Sequence, residues 1–337
     1  MTKKTHYFMV GSAAVLAAGL CTGLVAYYAG GFQPVSASAV SDELRYVPAN
    51  ATVVAYANVR AIMDSELRAR LKQAMPMQEQ GQLEFQQQTG IDIESDIDYV
   101  VAAMLQPTLP AGAGGLVVAR GRFDATLLKA LALEHGGTVE NYKGKELVVA
   151  PTNQMVQDQT GVIMPEHHKN LVLAFLENGL IAFGDATAVK SAIDAQLTSH
   201  ITSNDEMMRL VGDIGAAAPD AWAVGRFDAL ASQADLPEQI SRQIPTVKWL
   251  AVAGHVNGGL SGTLRAEARD DPSAENLRDV VRGFMALARL QSQADPRTAG
   301  LVDSLQLSGS GRTVSLSFSV PSEILQLIPK AHGQPEQ

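Results

Sequence analysis

Apolar and polar positions follow three rhythms along this chain, and each predicts a different element. The first is an unbroken run. After Lys3 and Lys4, "YFMVGSAAVLAAGLCTGLVAYYA" (Tyr7 to Ala29) holds 23 residues without a charge. As a helix it would extend ~35 Å at ~1.5 Å per residue, enough to cross a bilayer with some tilt. The second is the short apolar, β-branched run bounded by turn residues, which predicts strands at Ala51–Val59, after Pro48 and Asn50, and at Tyr99–Met104 and Leu116–Arg120. The third is a spacing of three or four residues, which predicts helices at Ile62–Gln73, with Leu67 and Leu71 four apart, and over "ATLLKALALEHGG". In that second helix Asp124 is placed to cap, Leu127, Leu128 and Leu131 form the apolar face, and Gly136 and Gly137 end it.

The alternation of rhythms continues downstream. "TVENYKGKELVVA" reads as a hairpin turning at Gly144. Pro151 to Asn170 is polar and reads as an irregular excursion. "NLVLAFLENGLIAFGDATAVKSAIDAQL" reads as strand, turn, strand and a helix capped by Asp185, with Val189 and Ile193 turned inward. "VKWLAVAGHVNGGLSGTLRAEARDD" is a second strand–turn–strand, followed by a helix from Ala274 to Leu290. In "RTVSLSFSV", Val314, Leu316 and Phe318 share one face and Ser315, Ser317 and Ser319 the other. "PSEILQLI" reads as a closing helix with Pro321 in its opening turn.

The pentapeptide "GRFDA" occurs at Gly121–Ala125 and again at Gly225–Ala229, each time between a strand and a helix. Every residue has a structural task there: Gly ends the strand, Phe tucks under the helix, Asp124 or Asp228 caps it, and Arg stands exposed beside the acid. The repeat therefore marks a unit built twice rather than a catalytic signature. The expected fold is α+β: largely antiparallel sheets with helices packed on one face, in two diverged halves, preceded by a single N-terminal transmembrane helix. The halves are 42–200 and 201–330, parted near Ser199 to Asp205, with a disordered tail at 331–337.

Tyr7 and Phe8 at one end of the apolar run, and Tyr27 and Tyr28 at the other, resemble an interfacial belt. Lys3 and Lys4 precede it, and the first acids, Asp42 and Glu43, follow. Residues 1–6 are then cytoplasmic, 7–29 the span and 30–41 a tether. This gives a single-pass membrane protein with its C-terminal part outside the cytoplasm. "PVSASA" (Pro34 to Ala39) offers small residues for cleavage near Ala39, so a removed signal peptide stays open beside the uncleaved anchor. Gly19 and Gly23 form a G-x-x-x-G face that would allow a homodimer.

Composition narrows the function. Hydrophobic residues are 46% and charged residues 18%, a balance that supports a core. The net charge of −9 argues against nucleic acid as partner. The one cysteine, Cys21, lies in the apolar run, which leaves no cysteine for a disulfide, a zinc site or thiol catalysis beyond it.

Each apparent motif breaks at a diagnostic position. Asp92, Glu94, Asp96 and Asp98 alternate like a calcium loop, but Ile97 and Ala103 stand where Gly and Glu are required. His167 and His168 are adjacent and lack a third ligand at usable spacing. "GAGGLV" (Gly112 to Val117) runs into a strand instead of a helix, and "SGSGRT" (Ser308 to Thr313) lacks a phosphate-loop lysine. His135 and His255 stand alone. The reading assigns no catalytic, cofactor-binding or metal residue, no cofactor and no enzymatic activity.

"LRYVPANATVVAYANVRAI", "TGIDIESDIDYVV" and "RGRFDATLL" together resemble a theme in uncharacterised exported bacterial proteins, over about Leu44 to Leu197. There a membrane segment precedes repeated α+β units. The resemblance implies a membrane-tethered envelope protein of a bacterium, single-pass in the inner membrane with its C-terminal part in the periplasm, and brings no catalytic residues. The expected role of the outer part is a binding or scaffolding module for an envelope protein or membrane complex. A carrier of a lipid or other apolar ligand is the alternative, and an enzyme with an unrecognised site the second alternative.

Overall fold

The computed structural model describes residues 42–69, 86, 89–106, 114–150, 155–157, 163–165, 171–231, 247–256, 258–292, 300 and 302–321. The apolar run 7–29, His167, His168 and the segment after Pro321 lie outside them. Two compact units are present. The first comprises Val35–Arg60 and Gln78–Arg209, and the second includes Ala61–Met77 and Leu210–Gln337.

The first unit is built on strands β1 (Ala51–Ala57), β2 (Ile97–Leu105), β3 (Gly114–Gly121), β4 (Thr138–Tyr142), β5 (Lys145–Ala150), β8 (Leu171–Glu177) and β9 (Leu180–Asp185). They lie in the order β1-β2-β3-β9-β8-β5-β4, and every neighbouring pair is antiparallel. Helix α1 (Val59–Met63) follows β1 and runs across the boundary at Arg60 into the residues of the second unit; within the first, α2 (Ile93–Asp96) precedes β2, α3 (Ala125–Glu134) follows β3, and α4 (Ala186–Ala195) follows β9. The excursion read as irregular contains a small separate hairpin, β6 (Met155–Gln157) with β7 (Ile163–Pro165). Its strands are three residues each, too short for alternation to reveal.

Local chemistry accounts for the boundaries. The Asp124 carboxylate accepts from the N–H groups of Thr126 (2.9 Å) and Leu127 (3.0 Å), satisfying two free donors at the start of α3. Asp185 does the same for α4 through the N–H of Ala188 at 2.9 Å. The β4–β5 turn places Lys143 (φ 49°) and Gly144 (φ 80°) in the left-handed region, as a tight two-residue hairpin turn requires.

α4 buries Ala188, Val189, Ala192, Ile193 and Ala195 against the sheet, on the face that includes Leu116, Val118 and Ala174. α3 takes the opposite face, which corrects the expectation that all helices share one. Adjacent strand residues point to opposite sides. Tyr142 bonds Asp194 of α4 at 3.0 Å. Glu146, which stands opposite Asn141, the neighbour of Tyr142, pairs with Lys129 of α3. α3 has no fully buried residue, and Leu127 of its expected inner face is 39% exposed.

The second unit carries β10 (Ala221–Arg226), β11 (Val247–Val256), β12 (Gly259–Ala268), β13 (Gln306–Ser308) and β14 (Thr313–Pro321), in the antiparallel order β13-β14-β12-β11-β10. Its helices are α5 (Asp205–Gly215, entered from the first unit), α6 (Phe227–Ala231) and α7 (Asp271–Ser292). Sequence reading passed over α5. Its signal was Asn204 as cap, accepting from the N–H of Met207 at 3.1 Å, followed by buried Met207, Leu210 and Ile214 at helical spacing.

β14 alternates as expected: Val314, Leu316 and Phe318 stand opposite Ala266, Leu264 and Gly262 on one face. The Phe318 ring lies directly over Gly262, where a Cβ would come within 2.8 Å of it. Pro321 is the last residue of β14, and the closing helix expected after it lies outside the described residues.

The two "GRFDA" corners differ. At the first, the Arg122 guanidinium binds Asp96 at 2.9 Å and also the Ser95 carbonyl, while Asp124 caps α3. At the second, Phe227 already begins α6, so Asp228 lies inside the first turn and pairs with Arg226. The expected cap at Asp228 is thus replaced by an ion pair two residues apart.

Candidate functional site

A cluster of ionisable side chains surrounds Glu43, directly after the expected tether. Asp42–Tyr46 forms a helical turn that leads into β1. Glu43 is 2% exposed, and Leu44, Tyr46 and Val47 are buried beside it. One Glu43 carboxylate oxygen accepts from the Tyr99 hydroxyl (2.9 Å) and from the Arg120 guanidinium (2.9 and 2.5 Å). Its other oxygen is buried and has no hydrogen-bond partner among the described residues. Arg120 also lies 3.8 Å from Glu177, which accepts from the Tyr46 hydroxyl at 2.7 Å.

The five residues come from the entry turn, β2, β3 and β8, so the cluster ties the start of the folded chain to three strands. Two further links hold the same turn. The N–H of Ile201 donates to the Val47 carbonyl at 2.8 Å, and Pro48 bridges to His200. Burial and the neighbouring Glu43 push the Tyr99 phenol up to about 12. Burial, with Glu177 alongside, raises Tyr46 as well. Both phenols therefore stay neutral and act as donors. Two acids and an arginine resemble a catalytic set, but Glu43 and both tyrosines are buried, with Tyr99 donating to Glu43 and Tyr46 to Glu177. The cluster works as a latch.

The second region is the reverse case. On α7, Val280, Phe284, Leu287 and Leu290 are 40%, 68%, 59% and 63% exposed. Their spacing of four, three and three residues places them on one helical stripe. The inner stripe, with Ala274 buried and Leu277 partly buried, packs on Ala268, Val314 and Leu307 of the sheet. The Arg278 guanidinium fixes the helix to the carbonyls of Gly311 (2.5 Å) and Thr313 (3.0 Å). Arg282 is held by Glu275 (3.2 Å) and Asp279 (2.7 Å). Phe284 stands seven residues after Leu277, so the exposed row adjoins the covered face, and the apolar surface of α7 is wider than the part that packs. In the same unit Leu264 of β12 is also exposed, and Leu316 and Phe318 beside it are half-buried.

The polar motifs met in the sequence take structural roles. Asp92 caps α2 through the N–H of Glu94, Asp96 accepts from the N–H of Asp92, and Asp98 pairs with Arg60 at 2.7 Å. "SGSGRT" forms the β13–β14 turn, with Gly309 and Gly311 at positive φ. His135 bonds the Leu131 carbonyl within its own helix. Among the described residues no three His, Cys, Asp or Glu side chains converge as a metal site would require. Nor is any helix among them long and apolar enough to cross a membrane.

Neither the Glu43 cluster nor the outer stripe of α7 was anticipated. The cluster's partners lie up to 131 positions apart and leave no local pattern. The stripe was readable in principle, because "DVVRGFMALARL" is too apolar for a helix with one covered face.

No family model matches the chain, and no curated protein does. Among solved structures, the Treponema protein described as "Structure of crystal form I of TP0453" is similar in outline, with a TM-score of 0.45 and 9% identity over 85% of this chain and 96% of that one.

Proposed function

We propose that this chain is a membrane-anchored envelope protein whose outer α+β part is a binding module, and that it meets its protein partner through the outer stripe of α7. Tyr7–Ala29 is the anchor in this reading, with Gly19 and Gly23 available for pairing, and the units lie in the periplasm. The observation that carries the docking surface is the row Val280, Phe284, Leu287 and Leu290, each at least 40% exposed on one ordered helix. Large apolar side chains in a contiguous exposed row mark interaction surfaces, whereas isolated ones do not.

A carrier of an apolar ligand is the second reading. It draws on exposed Leu264 and half-buried Leu316 and Phe318, which extend apolar surface onto the sheet of the same unit. Native mass spectrometry of the full-length protein, taken from membranes in mild detergent, separates the two. A co-purifying subunit that Leu287→Arg removes supports the binding module. A small bound mass in its place supports the carrier.

A further inference from the structure

We propose that the partner seated on the exposed row of α7 is a second copy of this chain, the two α7 helices packing antiparallel across a two-fold axis at Gly283 and Phe284. This rests on the α7 row being the docking surface.

A two-fold interface uses the same patch twice, so the patch must complement itself when turned end for end. The α7 row does. Gly283 and Phe284 stand at its middle, Val280 and Leu287 three residues further out on either side, and Leu277 and Leu290 six. At about 100° per residue, all six fall within an arc of about 140° on one side of the helix. In an antiparallel pair, Val280 of each helix therefore faces Leu287 of the other, Leu277 faces Leu290, and Phe284 faces Gly283. It is a second copy, and not an unrelated partner, that makes use of an end-for-end match.

The middle of the row is shaped for this contact. Gly283 is exposed, and a Cβ placed on it would meet nothing within 4 Å. Phe284 beside it is 68% exposed, the most of the row. Each helix thus carries a gap next to a projecting ring, and the ring of one copy enters the gap of the other. The bare backbone at Gly283 lets the two axes approach toward the near end of the usual range of about 8–10 Å.

Charge permits the approach. The chain carries −9, which opposes self-association in general. Along α7 the charges cancel, Asp271, Glu275 and Asp279 against Arg278, Arg282 and Arg289. All six lie about 120° or more around the helix from Phe284. Arg278 is moreover engaged by the carbonyls of Gly311 and Thr313, and Arg282 by Glu275 and Asp279. No charged residue belongs to the row itself.

Area sets the strength. From Leu277 to Leu290 the row is ~20 Å long on a helix ~10 Å wide. That falls short of the ~800 Å² per partner of a standard interface. The pairing is accordingly weak between free copies and becomes effective when two anchored copies share one membrane, which raises their effective concentration.

The test is mixed disulfide trapping in the full-length chain in mild detergent, with Cys21→Ser removing the native thiol. Val280→Cys and Leu287→Cys are made in separate chains and mixed in equal amounts, both positions being exposed. Antiparallel pairing sets Val280 against Leu287 and holds each ~10 Å along the axis from its own counterpart, beyond disulfide reach. Under a mild oxidant the mixture should form interchain dimer about tenfold faster than either variant alone. Equal rates in all three samples, or no dimer, would overturn the proposal.

A second measurement needs no new cysteine. Sedimentation equilibrium of the wild-type chain should show a monomer–dimer equilibrium that Leu287→Arg shifts at least tenfold toward monomer. A dimer that Leu287→Arg leaves unchanged overturns the proposal, because pairing then lies elsewhere in the chain. A co-purifying subunit of different mass, released by Leu287→Arg without mixed trapping, overturns self-pairing and leaves the binding module standing. Neither trapping nor any subunit overturns both.

Discussion

Glu43 and α7 pose opposite problems, and the contrast separates structure from function in this molecule. Glu43 is a charge held at 2% exposure, and Phe284 is a large apolar ring held at 68%. The buried charge is matched by Tyr99 and Arg120 within the same unit. The charge is thereby paired internally through one of its two carboxylate oxygens. The exposed ring has no such account. α7 is already packed through its inner stripe and fixed by Arg278, so the outer stripe adds nothing to the fold. A group out of its usual environment points to a partner when the chain itself does not supply one.

The largest effect should come from the latch. Glu43→Ala leaves Arg120 and Tyr99 without their acceptor, and should lower stability by about 3 kcal/mol, the lower end for breaking a buried pair because Arg120 is partly exposed. Denaturant unfolding monitored by circular dichroism reads it. A loss below about 0.5 kcal/mol would place Glu43 with ordinary surface acids and dissolve the contrast.

Alkaline unfolding probes the same cluster. The folded Tyr99 pKa is raised to about 12 from its ordinary 10. The native state therefore holds this proton more tightly than the unfolded chain. The stability it contributes is fully present below about pH 10 and is lost as pH rises through about 12, by roughly 2–3 kcal/mol. Tyr99→Phe should flatten that part of the pH profile.

A smaller contrast concerns the repeated corners. Asp124→Ala removes a cap bonded to two N–H groups and should cost about 1 kcal/mol. Asp228→Ala removes an exposed ion pair and should cost about 0.3 kcal/mol. Equal losses in thermal melts would mean that both corners work alike. The smallest effect belongs to α7: Phe284→Ser should change stability by less than about 0.5 kcal/mol, because the ring lies mostly in solvent.

Much of the strand and helix layout was legible because it is written locally. Asp185, the Glu-Asn-Gly turn and the inward Val189 and Ile193 announce β8, β9 and α4 within a few dozen residues, and the structure follows them closely. The "GRFDA" repeat was legible as a strand-to-helix corner but misleading in detail. Five shared letters do not encode that Asp96 waits for Arg122 at one corner while Asp228 takes Arg226 at the other. The two faces of the first sheet were illegible for a similar reason. Whether α3 or α4 lies above or below the sheet depends on the sense of each crossover, which periodicity does not carry. The latch was invisible because Glu43, Tyr99, Arg120 and Glu177 meet only after four segments have been brought together.

The most direct test of the central claim is native mass spectrometry of the full-length wild-type protein beside Leu287→Arg, both purified from membranes. An intact wild-type chain carrying a protein subunit that the variant lacks, with equal thermal stability of the two, is the predicted result. A chain trimmed near Ala39, or a subunit retained equally by both proteins, would contradict the account.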